Sequence, residues 1–340
     1  MDVDTEKGGR REMKTLAVTG CSGYIGGRIM EHLEEADWAG KVIGIDVKPP
    51  AKWWKKLEFY PLDVRSPELL SLLRDNRPQV LVHLAFIVNP LRDEREMHDI
   101  DVRGTENVLR AAAEAGVEHL VIASSSSAFG AFPDNPEWLT EDHPPRRMPN
   151  YTYASDKYEV EMMAKRFMEE NPGVRVAVIR PCIVYGPNVD NYLSRFILRL
   201  PAMPSVDGQV PQMQFVHEED VAEVFLKVIE TGAAGYFHSC GEGTVGIDEI
   251  AAMAGKPLVK VPARIAYPLV DLLWKARFPL IEGPSGMLDF IRYRWTISDQ
   301  KTREALGLGP RRSSREVVEE MLRTHRSKRG PGLLGRRGAT

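Results

Sequence analysis

Short apolar runs rich in β-branched residues alternate along this chain with longer stretches in which apolar side chains recur every third or fourth position. A short continuous apolar run reads as a strand buried on both faces, and the longer period reads as an amphipathic helix. The alternation therefore predicts an α/β fold, a doubly wound parallel sheet covered by helices on both faces. The runs fall at 15–19 (TLAVT), 42–45 (VIGI), 80–84 (VLVHL), 119–123 (HLVIA) and 174–179 (VRVAVI). One helix is predicted from Tyr24, with Ile25, Ile29 and Leu33 on one face and Arg28, Glu31 and Glu35 facing away. Others are predicted over 104–115 and over 154–169, the latter carrying Val160, Met163 and Phe167 inward. From Arg180 onward proline and glycine become frequent, and 262–295 mixes helical periodicity with aromatics. That part reads as a smaller C-terminal substrate lobe, in which Tyr267, Trp274, Phe278, Phe290 and Trp295 either fill a core or line an apolar cavity.

Between the first strand and the first helix stands Thr19-Gly20-Cys21-Ser22-Gly23-Tyr24-Ile25-Gly26, with its glycines at spacings of three. At a strand-to-helix turn that binds a pyrophosphate each glycine has a task. Gly20 permits the tight turn, Gly23 lets the backbone approach the anion, and Gly26 lets helix and strand pack closely. The helix N terminus adds unpaired N–H groups and the positive end of its dipole. Asp46 stands 20 residues after Gly26, at the end of the second strand. A carboxylate there accepts from the adenosine ribose hydroxyls and repels a 2′-phosphate, which favours NAD over NADP, with Lys48 partly offsetting the repulsion. Asp63, after a third strand, contacts adenine or caps a turn. These features predict a Rossmann-type NAD-binding domain over 14–180, with Gly20, Ser22, Gly23, Tyr24, Ile25, Gly26, Asp46, Asp63 and Val64 at the cofactor. The substrate lobe, 181–324, is interleaved with its last elements.

Composition narrows the class. Hydrophobic residues make up 43% and charged residues 27%, ordinary for a globular chain, and a net charge of -3 argues against a globally basic nucleic-acid binder. Cys21, Cys182 and Cys240 have no spacing that suggests a disulfide framework or a metal site, so no metal is expected and a reducing, cytoplasmic setting is. No apolar run of membrane-spanning length occurs, and no membrane partner is expected. Residues 1–13 read as a flexible N terminus and 325–340 as a basic disordered tail.

Tyr153 and Lys157 are four apart at the start of a predicted helix, hence one turn apart on one face. Moving a hydride to or from a carbinol carbon requires a proton to move on the oxygen, and a phenol is a poor base at neutral pH unless a nearby ammonium stabilises its phenolate. The run Ala123-Ser124-Ser125-Ser126-Ser127-Ala128-Phe129-Gly130 begins at the end of a buried strand, where ligands bind in open α/β sheets, and supplies a hydroxyl for the substrate oxygen.

The glycine loop, Asp46, His83-Leu84-Ala85, the serine run and Tyr153-x-x-x-Lys157 together resemble the extended short-chain dehydrogenase/reductases, the NAD-dependent epimerase/dehydratase family. The likeness extends through Arg180-Pro181-Cys182-Ile183-Val184-Tyr185-Gly186-Pro187 and Phe215-Val216-His217-Glu218-Glu219-Asp220-Val221-Ala222, covering 14 to about 310. It implies that Ser125 is the catalytic serine, Tyr153 the acid/base, and Lys157 the residue holding the nicotinamide ribose. It also puts Leu84 and Ala85 beneath the cofactor, Pro181 to Ile183 beside the nicotinamide, and Asp220 as a helix cap, and it implies a homodimer. Three departures stand out. Asp101 replaces the family's usual asparagine before the Gly104-Thr105 helix. Met213-Gln214 stand where sugar-nucleotide enzymes often carry an arginine, and Ser126-Ser127 replace the Asp-Glu typical of dehydratases.

The expected function is NAD-dependent oxidation, reduction or epimerisation at a secondary hydroxyl or ketone of a small molecule, with a nucleotide sugar as the commonest family substrate. A hydroxysteroid or other apolar alcohol is the alternative that the missing arginine and the aromatic lobe suit. A non-catalytic NAD sensor on the same fold is the third reading, and a sensor has no need of the serine, tyrosine and lysine.

Overall fold

In the strand Lys14–Thr19 (β1), Leu16 and Val18 point into one core layer and Ala17 into the other, all fully buried. A strand covered on both faces has no polar side, which is why its sequence shows no alternation. The computed structural model, which describes residues 13–328, repeats this pattern through a seven-stranded parallel sheet. With β2 (Ala39–Asp46), β3 (Leu57–Pro61), β4 (Val80–His83), β5 (His119–Ala123), β6 (Arg175–Pro181) and a seventh strand, Gly235–Ser239, the order across the sheet is seventh, β6, β5, β4, β1, β2, β3. The fold is thus α/β, a Rossmann-type doubly wound sheet.

Helix α1 (Tyr24–Glu35) and the helix Glu218–Thr231 cover one face through Ile29, Leu33, Val221, Phe225 and Val228. The opposite face takes α2 (Glu68–Asn76) and, beyond α3 (Glu94–His98), α4 (Gly104–Ala115) and α5 (Thr152–Glu170). The strands run parallel throughout, but the order in which the chain adds them reverses between β1 and β4, whose ends are in register at Thr19 and His83. The crevice outside these two carboxyl ends is where such sheets bind ligands.

Beyond the sheet, a second core gathers around Tyr192, Phe215, Ile250, Phe290, Trp295 and Val317. Short ladders pair Ile183–Tyr185 with Phe215–His217 and Met203–Val206 with Leu258–Val261. The seventh strand escapes the apolar-run criterion because Gly235, His238 and Ser239 interrupt it; His238 is buried with its Nδ1 on Ser298 O at 2.9 Å. The last helix, Ser314–Lys328, runs four residues into the segment expected as a tail. Its amphipathic stripe of Val317, Val318, Met321 and Leu322 is buried, and Arg326 and Lys328 hold Met253 O and Pro187 O at 2.8 and 2.9 Å. The rest of the expected tail, and all but Met13 of the expected flexible N terminus, lie outside the described residues.

Candidate active site

The glycine loop leaves β1 through Gly20 in the left-handed region, φ +71°. A Cβ here would stand 2.6 Å from Ala85 N and 2.8 Å from Leu84 C, so the loop after β4 presses directly on this backbone. A Cβ on Gly26 would stand 2.1 Å from Gly20 O, which requires glycine for the helix to approach the turn. Helix α1 starts after Gly23 with no side-chain cap and no acid in its first turn. Its N–H groups are therefore open to an anion, and the loop fits a dinucleotide pyrophosphate.

Asp46, at the end of β2, accepts from Ser22 N–H at 3.1 Å and from Lys48 N–H at 3.2 Å, and Ser22 Oγ donates to Lys48 O at 2.7 Å. Each carboxylate oxygen retains a lone pair for a ribose hydroxyl. Asp63 is engaged within the protein: Arg65 holds it through both its guanidinium and its backbone N–H and reaches on to Asp99 at 2.8 Å. Val64 is buried beneath Gly104, and its carbonyl accepts from Asn107 at 2.7 Å. The Tyr24 hydroxyl donates to the fully buried Glu218 carboxylate, which also takes Asn188 Nδ2.

Ser125, Tyr153 and Lys157 meet at the carboxyl end of β5 and line one cavity of about 200 Å³ with Tyr24, Ile25, Leu84, Pro181 and Ile183. Ser124 is tied down, its Oγ donating at 2.5 Å to Glu161, and Ser126 is fully buried off the cavity. Ser125 caps the short turn that follows by accepting from Ser127 N–H at 3.1 Å. Helix α5 begins at Thr152, so Tyr153 lies in its first turn, and Tyr153, Lys157 and Glu161 share one face at spacing four.

Lys157 Nζ donates to Ala123 O at 2.8 Å and sits 3.4 Å from the centre of the Phe86 ring, which packs edge-on against Tyr153. Burial pushes the Tyr153 phenol up to about 12, with the Ser125 hydroxyl working against it. This corrects the expectation that the ammonium would lower it. The two side chains share a face, but Lys157 Nζ lies 5.9 Å from the Tyr153 ring centre, and desolvation dominates. Burial likewise lowers Lys157, with Asp101, Glu161 and Asp156 opposing.

Asp101 lies in a wide turn at Asp99–Arg103 leading into α4, fully buried. Its Oδ1 accepts from Ile87 N–H at 2.7 Å, whereas its Oδ2 has no hydrogen-bond partner among the described residues, and burial holds the carboxyl well above the usual carboxylate range. Behind it, His83 Nδ1 meets Thr19 Oγ1 at 2.8 Å and Nε2 meets Thr105 Oγ1 at 2.9 Å. Thr105 donates its own proton to Asp101 O at 2.6 Å, so it accepts from Nε2–H, and Thr19 must donate to Nδ1. Burial keeps this imidazole neutral, its pKa pushed down to about 3.

The other departures also resolve. Gln214 is buried and exchanges two bonds with the Ile297 backbone, at 3.0 and 2.7 Å, so both ends of its amide are engaged within the protein. Met213 lines the cavity, as do Phe86, Phe196, Met287, Phe290 and Trp295. Lys157 is the single charged side chain among the cavity's lining residues; Arg195 and Arg199 nearby are both held by Glu282. Of the five lobe aromatics, Phe290 and Trp295 reach the cavity, Tyr267 donates to Asp289, Trp274 carries Arg92 on its face, and Phe278 is exposed. The cap of the helix Glu218–Thr231 is His217, whose Nδ1 accepts from Glu219 N–H at 3.2 Å; Asp220 lies inside the first turn and binds Arg312.

Sequence reasoning missed Phe86, the Glu161–Arg180 buried ion pair behind the serine run, and Glu218. Glu161 was findable, being four residues beyond Lys157, and so was Arg180, a lone charge at the end of an apolar strand.

Residues 16–238 match the NAD dependent epimerase/dehydratase family. An uncharacterized protein of Mycobacterium tuberculosis is 25% identical over 91% of this chain and 84% of its own length. The 4-hydroxy-2-methyl-3-oxo-4-farnesyl-3,4-dihydroquinoline-1-oxide ketoreductase of Stigmatella aurantiaca is also 25% identical, over 91% of this chain and 96% of its own. Among solved structures, UDP-glucose 4-epimerase of Thermotoga maritima superposes with a TM-score of 0.69 at 20% identity, covering 92% of this chain and 99% of that one. The dTDP-glucose 4,6-dehydratase of Streptomyces venezuelae gives 0.73 at 22%, covering 93% and 98%. These structures share the fold.

Proposed function

Because the chain belongs to the NAD dependent epimerase/dehydratase family, and is therefore an NAD-dependent enzyme of the extended short-chain dehydrogenase/reductase type, we propose that it interconverts an apolar ketone and its secondary alcohol. The observation that carries this reading is the cavity wall: Lys157 is its single charge, its neutral polar groups are Ser124, Ser125, Ser127, Asn191 and tyrosine hydroxyls, and aromatic, aliphatic, cysteine and methionine side chains make up most of the remainder. A nucleotide sugar brings two phosphates that need cationic or N–H partners, and their burial against such a wall is costly. The Stigmatella ketoreductase, whose named substrate carries a farnesyl chain, supports the same substrate class.

On this reading the α1 N terminus holds the pyrophosphate, Asp46 the adenosine ribose and Lys157 the nicotinamide ribose, with Leu84, Ala85, Pro181 and Ile183 around the rings. NADH held there would supply the hydride for the carbonyl carbon. Ser125 and Tyr153 donate hydrogen bonds to the carbonyl oxygen, and as charge develops there Tyr153 gives up its phenolic proton. A phenol pushed up to about 12 is protonated at neutral pH and still more acidic than an alkoxide's conjugate alcohol, which favours the reducing direction. Asp63, bound to Arg65, supports adenine from a fixed turn.

The test is a substrate panel. NADH oxidation with lipophilic ketones, and little or no turnover of UDP- or dTDP-sugars, is the expected result. Epimerisation of a nucleotide sugar without ketone reduction would overturn the assignment.

A further inference from the structure

Next to the cavity the chain presents an apolar surface that nothing among the described residues covers. In the helix Ala263–Lys275 only Ala266 is buried, while Ile265, Leu269 and Leu272 stand at helical spacing and are 49%, 46% and 63% exposed. Phe278 and Leu280 continue this surface, and Leu258 and Val259 are exposed on a nearby strand. Lys260, Arg264, Lys275 and Arg277 are exposed beside them, and no side-chain hydrogen bond or ion pair engages any of the four among the described residues. The one acid between 258 and 280, Asp271, is partly buried and accepts from Ser285 N–H at 2.9 Å.

This surface adjoins the cavity. The turn Ser285–Ile291 packs against the helix and gives the cavity wall Met287, Leu288, Phe290 and Ile291. From the other side comes the segment of Phe86 and Val88, both cavity-lining, and the Arg92 guanidinium lies 3.3 Å from the centre of the Trp274 ring.

We infer that the segment 258–280 docks the protein onto an anionic lipid surface, which brings a membrane-dissolved ketone next to the wall of the cavity that holds Tyr153. An apolar helical face rimmed by cations is the pattern of interfacial helices, which bury that face at the headgroup boundary and draw on anionic lipid for the remainder. A second copy of the chain is a poor occupant: a two-fold contact centred on 258–280 would bring its four unpaired cations together with no exposed acid within that segment to pair them. No helix among the described residues is long and apolar enough to cross a membrane, so the contact is peripheral. The expectation of no membrane partner considered spanning segments alone. The substrate half of the inference rests on the apolar-ketone reading, while the docking half rests on the surface residues.

Flotation of the full chain with vesicles tests it. The chain is expected to float with equimolar phosphatidylcholine and phosphatidylserine, less with phosphatidylcholine alone, and less at high salt. Lys275→Gln with Arg277→Gln should lower partition onto the mixed vesicles on the order of 25-fold, about fivefold per cation. Leu269→Asp with Leu272→Asp should abolish flotation on both vesicle types. NADH binding and turnover of a short water-soluble ketone should be unchanged in both variants, which also reports that they are folded. A wild-type chain that stays with the unbound fraction on both vesicle types overturns the docking, as does self-association that the Leu269→Asp, Leu272→Asp variant loses in the absence of lipid. Flotation without turnover of any ketone supports the docking and overturns the substrate reading alone.

Discussion

Asp101 is where a single residue changes the chemistry of the site. One oxygen is satisfied by Ile87 N–H and the other is buried without a partner, close enough to Lys157 for each to oppose the effect of burial on the other. An asparagine would keep the bond to Ile87 and remove the titration. Asp101→Asn is therefore expected to let the Lys157 pKa fall further. If the cationic form of Lys157 is the active one, the alkaline limb of kcat/KM moves down by about one pH unit. An unmoved limb in a variant that still binds NADH would sever the two residues. Spacing singled out Tyr153 and Lys157 and the strand end a run of four serines, while the choice of Ser125 within that run came only from the family resemblance. The reversal of the Tyr153 shift was not legible, since it depends on how deeply the lobe and Phe86 bury the phenol, which no local pattern records.

At the scale of elements, the glycine loop works because three segments meet at backbone distance. Gly20 faces the chain after β4, and Gly26 faces Gly20 O, so neither contact can be relieved by a side chain moving aside. Gly26→Ala is expected to cost about 3 kcal/mol of stability and to weaken NADH binding together with it. Denaturant midpoints and cofactor titration check this, and a variant of native stability and affinity would contradict the packing. Most of this was readable: the loop motif, β1, β2, β4, β5 and the inward face of α5 follow from runs and periods. The seventh strand and the Gln214–Ile297 clasp were not, because their polar residues are satisfied by partners distant in sequence, Ser298 and Ile297.

For the whole molecule, His83, His119 and His238 are buried in or against the central sheet and held neutral, with pKa values pushed down to about 3, 4 and 3, burial being the main cause of each. The unfolded chain takes up protons on these rings below its ordinary value of 6.5 while the native fold does not, so stability falls as pH drops from 6.5 toward the folded values. Each contributes on the order of 2 kcal/mol of that loss by about pH 5. Asp101, Asp156 and Asp299, raised by burial, act with the opposite sign. His119→Gln retains a donor for Ala233 O and removes one titration, so its stability deficit relative to wild type should shrink as pH falls. A constant deficit across urea titrations from neutral to acid pH would show that His119 is not neutral in the fold. The cavity's apolar wall has a separate origin in the lobe, whose aromatic richness over 262–295 was legible without showing that Phe290 and Trp295 are the rings that reach the cavity.

The central claim is that Tyr153 moves the proton on the substrate oxygen within the cavity it shares with Ser125 and Lys157. Its most direct test is single-turnover reduction of a lipophilic ketone by preformed NADH complexes of the wild type and Tyr153→Phe. The account expects the variant to bind NADH as the wild type does and to transfer hydride at least about 10²-fold more slowly, the lower end of what a positioned general acid contributes. Equal rates in the two proteins would contradict it.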